Sequence, residues 1–335
     1  MSAVERTVRI LDGFQQRHTW AAFPFAVVKK YGDDQGGHLA TLIAYYGFFS
    51  VFPLMLVFVS VLGIVLADRP DLQQKIIDSA LAQFPIVGPT IAREVDAITG
   101  NAVALTIGIL TALWAGLGVV QAAQNAMNQV WDVPRKDWPN FLTSRLRSLL
   151  MLVVLGTTIV ASTFLTGLAT AGGAHGFFLR GSQVVLSMLF NLALFLLIYR
   201  VLTRLRLRWR DVLPGAVVAA MLWTALQFLG GLYVSRTIKG ATNLYGTFAL
   251  VIGLLVWIHL AGRLTLYCAE INVVLVRRLW PRSLTQPPLT EADMQAMRAG
   301  ALQERRRPEE HIQVTFEADE RPSEAEVPPP RHDQP

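Results

Sequence analysis

Long apolar blocks separated by shorter polar segments dominate the chain. A helix needs about 20 mostly apolar residues to cross the hydrocarbon core of a bilayer. The blocks do not alternate apolar and polar residues as membrane-barrel strands do, so each predicts a transmembrane helix that satisfies its own backbone. There are six such blocks, and they cover residues 39–67, 102–123, 148–171, 179–202, 212–234 and 244–276.

This pattern predicts an all-α, polytopic membrane protein with six transmembrane helices in one bundle. We expect a cytoplasmic or interfacial N-terminal segment (1–38), a six-helix transmembrane domain (39–280) and a disordered cytoplasmic tail (281–335). The tail is assigned on its proline and acidic content.

Two polar segments carry local helix signals. Within the tail, residues from Thr290 to Arg307 favour a short helix with Thr290 as its N-cap. In loop 68–101, the apolar spacing favours two short amphipathic helices.

Composition agrees with a membrane protein. Of the 335 residues, 53% are hydrophobic and only 16% are charged, whereas soluble domains average about 25% charged residues. A disordered chain and a collagen are therefore excluded. Cys268 is the single cysteine, so a disulfide scaffold is excluded as well.

The 30 Lys and Arg residues are distributed unevenly between alternate polar segments. Segments 1–38, 124–147, 203–211 together with Arg200, and the tail from residue 277 hold 23 of them, against six in the segments between. Positive charge marks the cytoplasmic side of a membrane protein. Both termini are therefore predicted to be cytoplasmic. The net charge of +6 mainly reflects the basic residues of the predicted cytoplasmic segments.

The run RLRLRWR at residues 204–210 looks like a nucleic-acid patch in isolation. Because it lies between two predicted spans, we interpret it as a topology anchor that also meets anionic lipid headgroups. We expect no nucleic-acid partner.

The sixth block carries polar residues on one helix face. His259, Arg263, Tyr267 and Glu270 follow each other at spacings of 4, 4 and 3, which places them on the same side of a helix. A charge in hydrocarbon is costly, so such groups face the bundle interior, water or one another. One interpretation is a polar pathway for an ion, a proton or a headgroup. The other is that Glu270 only pairs with Arg277 or Arg278 near the helix end.

Further polar, aromatic and proline residues in the apolar blocks are candidates for the lining of a cavity. The alternative for each of them is ordinary packing and hydrogen bonding between helices. These candidates are Tyr45, Tyr46, Pro53, Asn125, Trp131 and Tyr245.

Signatures of enzymes are absent from the sequence. There is no Walker lysine loop, HExxH, GxSxG or CxxC, and the six histidines are scattered. We therefore expect no catalytic residues, no metal, no cofactor and no enzymatic activity.

Four stretches carry a family signature: HLATLIAYYGFFSVFPLMLVFVSVLG, WAGLGVVQAAQNAMNQVWDVPRK, PGAVVAAMLWTALQFLGGLYV and NLYGTFALVIGLLVWIHLAGRLTLYCAEINVV. They resemble, in this order, the first, second and last two helices of the YihY/virulence factor BrkB family, over about residues 20–280. The resemblance implies a six-helix, multi-pass protein of the bacterial inner membrane. It implies no catalytic residues, because the family's former label of ribonuclease BN is a misassignment. Cys268 stands where the family often has Gly, which argues against close packing there.

Three functions are compatible with these features. The leading hypothesis is a transporter or a lipid or solute translocation protein, with Arg263 and Glu270 as pathway groups. The second is a non-transporting scaffold for envelope integrity, and the third, weaker one is a membrane-embedded enzyme. The partners expected are membrane lipids and an unidentified small solute or lipid substrate, and a homo-oligomer is compatible with the sequence without being fixed by it.

Overall fold

The computed structural model describes residues 3–65, 102–138, 140, 142–154, 177–233, 239–284 and 288–316. Every regular element within these residues is helical, which confirms the all-α class for that part of the chain. The helices are α1 (Ala3–Arg17), α2 (Thr19–Asp33), α3 (Gly36–Val65), α4 (Ala102–Val130), α5 (142–154), α6 (Phe177–Leu202), α7 (Trp209–Tyr233), α8 (Lys239–Arg277) and α9 (Glu291–Gln303), with a 3₁₀ turn at Arg135–Asp137.

Two of the described helices are long and apolar enough to cross a membrane, Trp209–Gly230 within α7 and Val251–Arg277 within α8. Only 28% of the most apolar stretch of each is buried inside the chain, whereas the core helix of a soluble protein is mostly buried. The six-span bundle stays a prediction. Loop 68–101, with its two expected helices, lies outside the described residues.

The bundle is held by helices that approach closely. Helix α3 packs on α4 and α8, and α7 packs on α6 and α8. Small side chains at the contacts allow this approach in membrane helices. The fully buried examples include Ala40, Ala126, Ala216 and Ala269.

The tightest helix contact involves Gly215 of α7. A Cβ atom at this position would lie 2.1 Å from the carbonyl oxygen of Cys268. The Gly215 N–H donates a hydrogen bond to Asn272 Oδ1 at 2.7 Å. Close packing is therefore present beside Cys268, against the expectation from the missing glycine there, because the glycine is supplied by the neighbouring helix.

Large apolar side chains cover much of the outer surface of the helices. A soluble monomer rarely exposes so many of them in continuous patches, and an apolar surface is what contact with lipid requires. Examples are Tyr45 and Phe49 on α3, Leu110 and Trp114 on α4, Phe228 and Leu229 on α7, and Phe248 and Val256 on α8.

Helix α9 begins after Thr290, which confirms the predicted N-cap. The Thr290 hydroxyl accepts a hydrogen bond from the Asp293 N–H, and the Asp293 carboxylate accepts one from the Thr290 N–H, each at 3.2 Å. This is a capping box with Asp at its third position. The short helix predicted from the local sequence is therefore formed at 291–303, within the segment whose overall composition predicts disorder. Residues 317–335 lie outside the described chain.

Candidate functional site

Five charged side chains meet where α2, the end of α4 and α8 come together. We call Lys30, Asp34, Asp132, Glu270 and Arg277 the ion cluster. The Lys30 ammonium donates to Asp34, to Asp132 Oδ1 at 3.3 Å and to the Val130 carbonyl at 3.4 Å. Lys30 is 1% exposed and Glu270 is fully buried. Charged side chains are almost never buried to this extent unless they are paired with one another.

Arg277, in the last turn of α8, closes the ion cluster on the other side of Asp132. Its Nη1 lies 2.5 Å from Asp132 Oδ2, and its Nη2 donates to the Trp131 carbonyl at 2.6 Å. Asp132 thus bridges the two cations of the ion cluster, and it joins α4 to both α2 and α8.

The local fold at the end of α4 explains the position of Asp132. Its φ of 47° is left-handed, and the Val133 N–H donates to the Asn128 carbonyl at 2.9 Å. This is the bond of a Schellman helix end, where glycine is the usual residue. For a non-glycine residue, this backbone conformation costs roughly 1–2 kcal/mol. At Asp132 the ion pairs with Lys30 and Arg277 offset that cost.

Glu270 is the member of the ion cluster whose bonding partner is a second carboxyl group. Neither of its carboxylate oxygens accepts a hydrogen bond from an N–H or hydroxyl donor in the described ranges. Glu270 and Asp34 are hydrogen-bond partners when one of them carries a proton, and Lys30 and Asp132 act on Glu270 electrostatically. Three carboxylates would outnumber the two cations by one if all were ionised. Carboxylates that share a buried site do not ionise independently, so one proton is expected to be shared within the ion cluster.

The pKa values of the two cluster residues contributed by the α2 region reflect this crowding. Burial raises the pKa of the Asp34 carboxyl, Lys30 lowers it and Asp132 raises it, and the result is a pKa of about 6. Burial by itself would lower the pKa of Lys30, but Glu270, Asp34 and Asp132 outweigh that effect and raise it well above its usual range. Lys30 is therefore the permanent cation, and Asp34 is a group that titrates near neutral pH.

The polar face predicted for the sixth block is divided in the structure. Glu270 lies in the ion cluster, whereas Arg263 is exposed, with its guanidinium carbon 6.0 Å from the ring centroids of Tyr31 and Tyr267. Those two rings stack on each other with centroids 3.7 Å apart. His259 is half-buried on the same helix. Among the described residues, Glu270 forms an ion pair with neither Arg277 nor Arg278, and Arg277 binds Asp132.

The other predicted cavity residues are distributed over the bundle. Trp131 is buried beside the ion cluster and offers its carbonyl to Arg277. Tyr45, Tyr46 and Asn125 are exposed on the outer surface. Pro53 is half-buried within α3, and Tyr245 lies in α8 with its side chain outside those described. Trp131 is thus the residue of this group that contacts the ion cluster, through Arg277.

A second set of polar residues, which we call the clasp, joins α1, α2, α9 and the chain after α8. It consists of Asp12, Lys29, Arg282, Ser283 and Asp293. The Asp293 carboxylate accepts from Lys29 at 2.8 Å, from Arg282 at 2.6 Å and from the Ser283 N–H at 2.9 Å. Asp12 of α1 accepts from the Leu284 N–H at 2.9 Å. The clasp fastens α1, α2 and α9 to the chain that leaves α8.

Sequence reasoning missed most of the ion cluster. Lys30, Asp34 and Asp132 lie in polar segments, where charges are ordinarily solvated, and they are separated from Glu270 by more than a hundred residues. A signal was available in the WDVPRK end of the second block, where an Asp directly follows a helix of apolar and amide residues. Among the described residues, no group of three His, Cys, Asp or Glu side chains is arranged to hold a metal ion.

The fold and the site together define a helical membrane protein with a buried ion cluster at one end of α8. Comparison with known families identifies it further. The chain belongs to the Virulence factor BrkB family, whose model matches residues 27–291. This confirms the family resemblance seen in the four sequence stretches.

The relatives are described as membrane proteins or by a ribonuclease-like name. A UPF0761 membrane protein of Pseudomonas paraeruginosa is 28% identical over 77% of this chain and 64% of its own length. The inner membrane protein YhjD of Escherichia coli K12 is 24% identical over 76% of this chain and 81% of its own. A ribonuclease-like protein of Bacillus subtilis, YfkH, is 25% identical over 74% of this chain and 93% of its own.

The chain spans less than two thirds of the length of the Pseudomonas relatives that it matches. No solved structure matches the chain. Family and membrane location are therefore established by sequence relatives, while the activity has to be argued from the site.

Proposed function

We propose that this protein moves a small solute or a lipid across the bacterial inner membrane, as a six-helix bundle with both termini in the cytoplasm and without enzymatic activity. The observation that carries the proposal is Glu270, a fully buried carboxylate whose hydrogen-bond partner is the carboxyl group of Asp34, with Lys30 and Asp132 close enough to act on it electrostatically.

The free-energy cost of burying these charges is the reason that this arrangement supports translocation. Replacing a buried charge network by apolar side chains of similar volume is often neutral or stabilising, so such a network is weak evidence for a purely structural role. Ionisable groups in membrane proteins typically mark ion, proton or substrate pathways. A cluster with one carboxylate more than its cations can take up and release a proton without losing either cation.

The topology of the proposal rests on the charge count. The segments that hold 23 of the 30 basic residues include those that contain Lys30 and Arg277, so the ion cluster would lie toward the cytoplasmic end of the bundle. Loading and release of a proton at that end would be linked to opening of the pathway along α8, with Arg263 at its exposed side.

A scaffold for envelope integrity is the second candidate, and the clasp favours it. Asp293 and Arg282 connect α2, α9 and the segment that follows α8 through ion pairs, which is an arrangement suited to holding a fixed shape. In that case the ion cluster would serve the same structural purpose as the clasp.

Reconstituted liposomes distinguish the two candidates. We expect the full chain to conduct protons down an imposed pH gradient, read by an internal pH dye, or to exchange a fluorescent phospholipid between leaflets. Glu270→Gln, which removes the exchangeable proton at constant size, should lower that rate at least tenfold. Arg135→Gln, which breaks a surface ion pair with Glu304, is the matched control and should retain the rate.

Thermal unfolding of the same preparations completes the test. If neither protons nor lipid move with the wild-type chain, or if Glu270→Gln retains the full rate, the proposed role of Glu270 is wrong. If Glu270→Gln changes the unfolding temperature while flux is absent throughout, the scaffold is the better description.

A further inference from the structure

An open groove lies between the turn that follows α4 and the loop between α6 and α7. Its cavity volume is about 590 Å³, and Lys136, Trp138, Asn140, Thr143 and Arg204 are among its lining residues. It is separate from the ion cluster and from the clasp. A phosphate ester with its glycerol fits a space of this size and polarity.

The two walls of the groove are tied together by hydrogen bonds, so its shape is fixed in advance. The Arg204 N–H donates to Asn128 Oδ1 at 3.0 Å. On the other wall, Arg147 of α5 donates to the Val201 and Thr203 carbonyls at 3.4 and 3.2 Å. A preorganised site loses less entropy when a ligand binds.

The charge of the groove selects an anion. Neither Lys136 nor Arg204 forms an ion pair with another residue of the described chain. Asp137 is the acidic residue among the lining residues, whereas Arg206 and Arg208 are exposed residues outside the lining. Two cations with free donors and two polar side chains are suited to the oxygens of a phosphate.

An apolar stripe runs away from the groove along α5. It begins at Leu142, next to the lining residue Thr143, and its side chains recur at spacings of 4, 4 and 3, which is one face of a helix. Trp209, the first residue of α7, is 53% exposed and is of the residue type enriched at membrane interfaces. The stripe consists of Leu142, Leu146, Leu150 and Val153, exposed by 77, 69, 64 and 57%.

We propose that this groove binds the phosphate headgroup of an anionic phospholipid, with one acyl chain of the lipid lying along the α5 stripe. A headgroup site that continues directly into an exposed apolar stripe matches the two ends of a phospholipid, whereas a soluble phosphate would use only the first. The lipid is a bound component of the protein and not its cargo, so the site does not depend on the translocation proposal.

Native mass spectrometry of the full chain, purified in a mild detergent, tests the proposal. The probes are dioleoyl phosphatidylglycerol and dioleoyl phosphatidylcholine, which share their acyl chains and differ in headgroup charge. We expect retention of about one phosphatidylglycerol and at least tenfold weaker retention of phosphatidylcholine, because both lipids offer the phosphodiester but only phosphatidylcholine brings a quaternary ammonium close to the two cations of the groove. Lys136→Gln combined with Arg204→Gln should abolish the preference.

The matched control is Arg206→Gln combined with Arg208→Gln, which removes two positive charges near the groove without altering its lining. This control should retain the preference. Equal loss in both double variants would show a diffuse electrostatic attraction and would overturn the groove as the site.

Two further arms separate lipid from free phosphate. Inorganic phosphate at millimolar concentration should not displace the bound phosphatidylglycerol. Leu146→Ser combined with Leu150→Ser should weaken phosphatidylglycerol retention. If phosphate displaces the lipid fully, or if the serine variant retains it unchanged, the groove is a simple anion site and the proposal is wrong.

Discussion

Lys30 occupies a position that few lysines tolerate, because its ammonium is buried among three carboxylates. Burial alone favours the neutral amine, and the pKa of Lys30 is nevertheless raised, since Glu270, Asp34 and Asp132 together favour the charged form more strongly than burial opposes it. Stability from this group is present below its ordinary pKa and is lost only when the pH rises beyond the folded value. At neutral pH the contribution is therefore complete.

Lys30→Met is expected to lower the free energy of unfolding by about 3–5 kcal/mol, the range for removing one partner of a buried pair. The reason is that Asp34, Asp132 and Glu270 would keep their burial and lose their central cation. Equilibrium unfolding of the detergent-solubilised chain measures this change. Arg206→Met, an exposed position, should stay within about 0.5 kcal/mol, and the Lys30 penalty should shrink in a Glu270→Gln background. Equal stability of the Lys30 and Arg206 variants would contradict the role of the pairs.

Asp34 predicts a measurable dependence of stability on pH. Its folded pKa of about 6 lies above its ordinary value of 3.8, so the folded state binds this proton more tightly than the unfolded state. The contribution is therefore complete below pH 3.8 and declines as the pH rises through 6, by at most about 1.4 kcal/mol per pH unit. Unfolding measured from pH 4 to 7 should show this slope, and Asp34→Asn should remove it. An unchanged slope in the variant would assign the titration to another group.

Gly215→Ala is expected to lower the free energy of unfolding by about 1–3 kcal/mol, the usual cost of overpacking. The added methyl group would meet the Cys268 carbonyl oxygen at 2.1 Å and the Asn272 amide nitrogen at 2.5 Å, and the backbone carbonyl cannot move away freely. Gly300 of α9 has open space around it, so Gly300→Ala should instead raise stability by about 0.5–1 kcal/mol. Thermal unfolding of both variants tests these expectations. If Gly215→Ala leaves the stability unchanged, α7 is able to shift and make room for the methyl group.

At the scale of elements, the helices follow from apolar run length where the run is long. Block 179–202 corresponds to α6 and block 212–234 to α7, each within three residues at both ends. Helix α4 continues to Val130 beyond its block, because its late amides find partners: Gln124 donates to the Ser148 hydroxyl at 3.1 Å, and Asn128 accepts from Arg204. A block defined by hydropathy ends at the first such amides, because hydropathy does not show whether polar groups have hydrogen-bond partners. Only the fold shows that these amides have them.

The ion cluster and the clasp could not be predicted in the same way. Spacing along one helix shows which residues share a face, and on the predicted face Glu270 is buried whereas Arg263 is exposed. It does not show which distant segment supplies the partner. Lys29 and Lys30 are adjacent in sequence, yet one pairs with Asp293 and the other with Asp34 and Asp132.

Helix α9 is docked through Asp293, so Asp293→Asn should release it. The amide keeps the size of the side chain but removes the charge that holds Lys29 and Arg282. We expect hydrogen exchange across 291–303 to rise at least tenfold, which corresponds to about 1.4 kcal/mol, while α7 keeps its protection. Glu304→Gln, which breaks a half-exposed pair with Arg135, should change little. Unchanged exchange in Asp293→Asn would show that apolar contacts alone hold α9.

Acid should have the same effect as this substitution. Burial raises the pKa of Asp293, but hydrogen bonds from Lys29, Arg282, Ser283 and Thr290 outweigh it and lower the pKa below its ordinary value of 3.8. The contribution of a depressed carboxyl is present above its ordinary pKa and is lost as the pH falls through the folded value. Exchange of α9 should therefore accelerate only below about pH 4, outside the window assigned to Asp34.

For the whole molecule, the orientation in the membrane is the property on which the proposed pathway depends. Cys268 is buried, so the wild-type chain should react slowly with a membrane-impermeant maleimide. Ser79→Cys in loop 68–101 should be labelled in intact cells, whereas the exposed His311→Cys should be labelled only after permeabilisation, because the basic segments mark the cytoplasmic side. The reverse pattern would place the ion cluster toward the cell exterior, and labelling of both sites in intact cells would mean an odd number of spans. The expected pattern would place Lys30 and Glu270 where cytoplasmic pH sets their protonation.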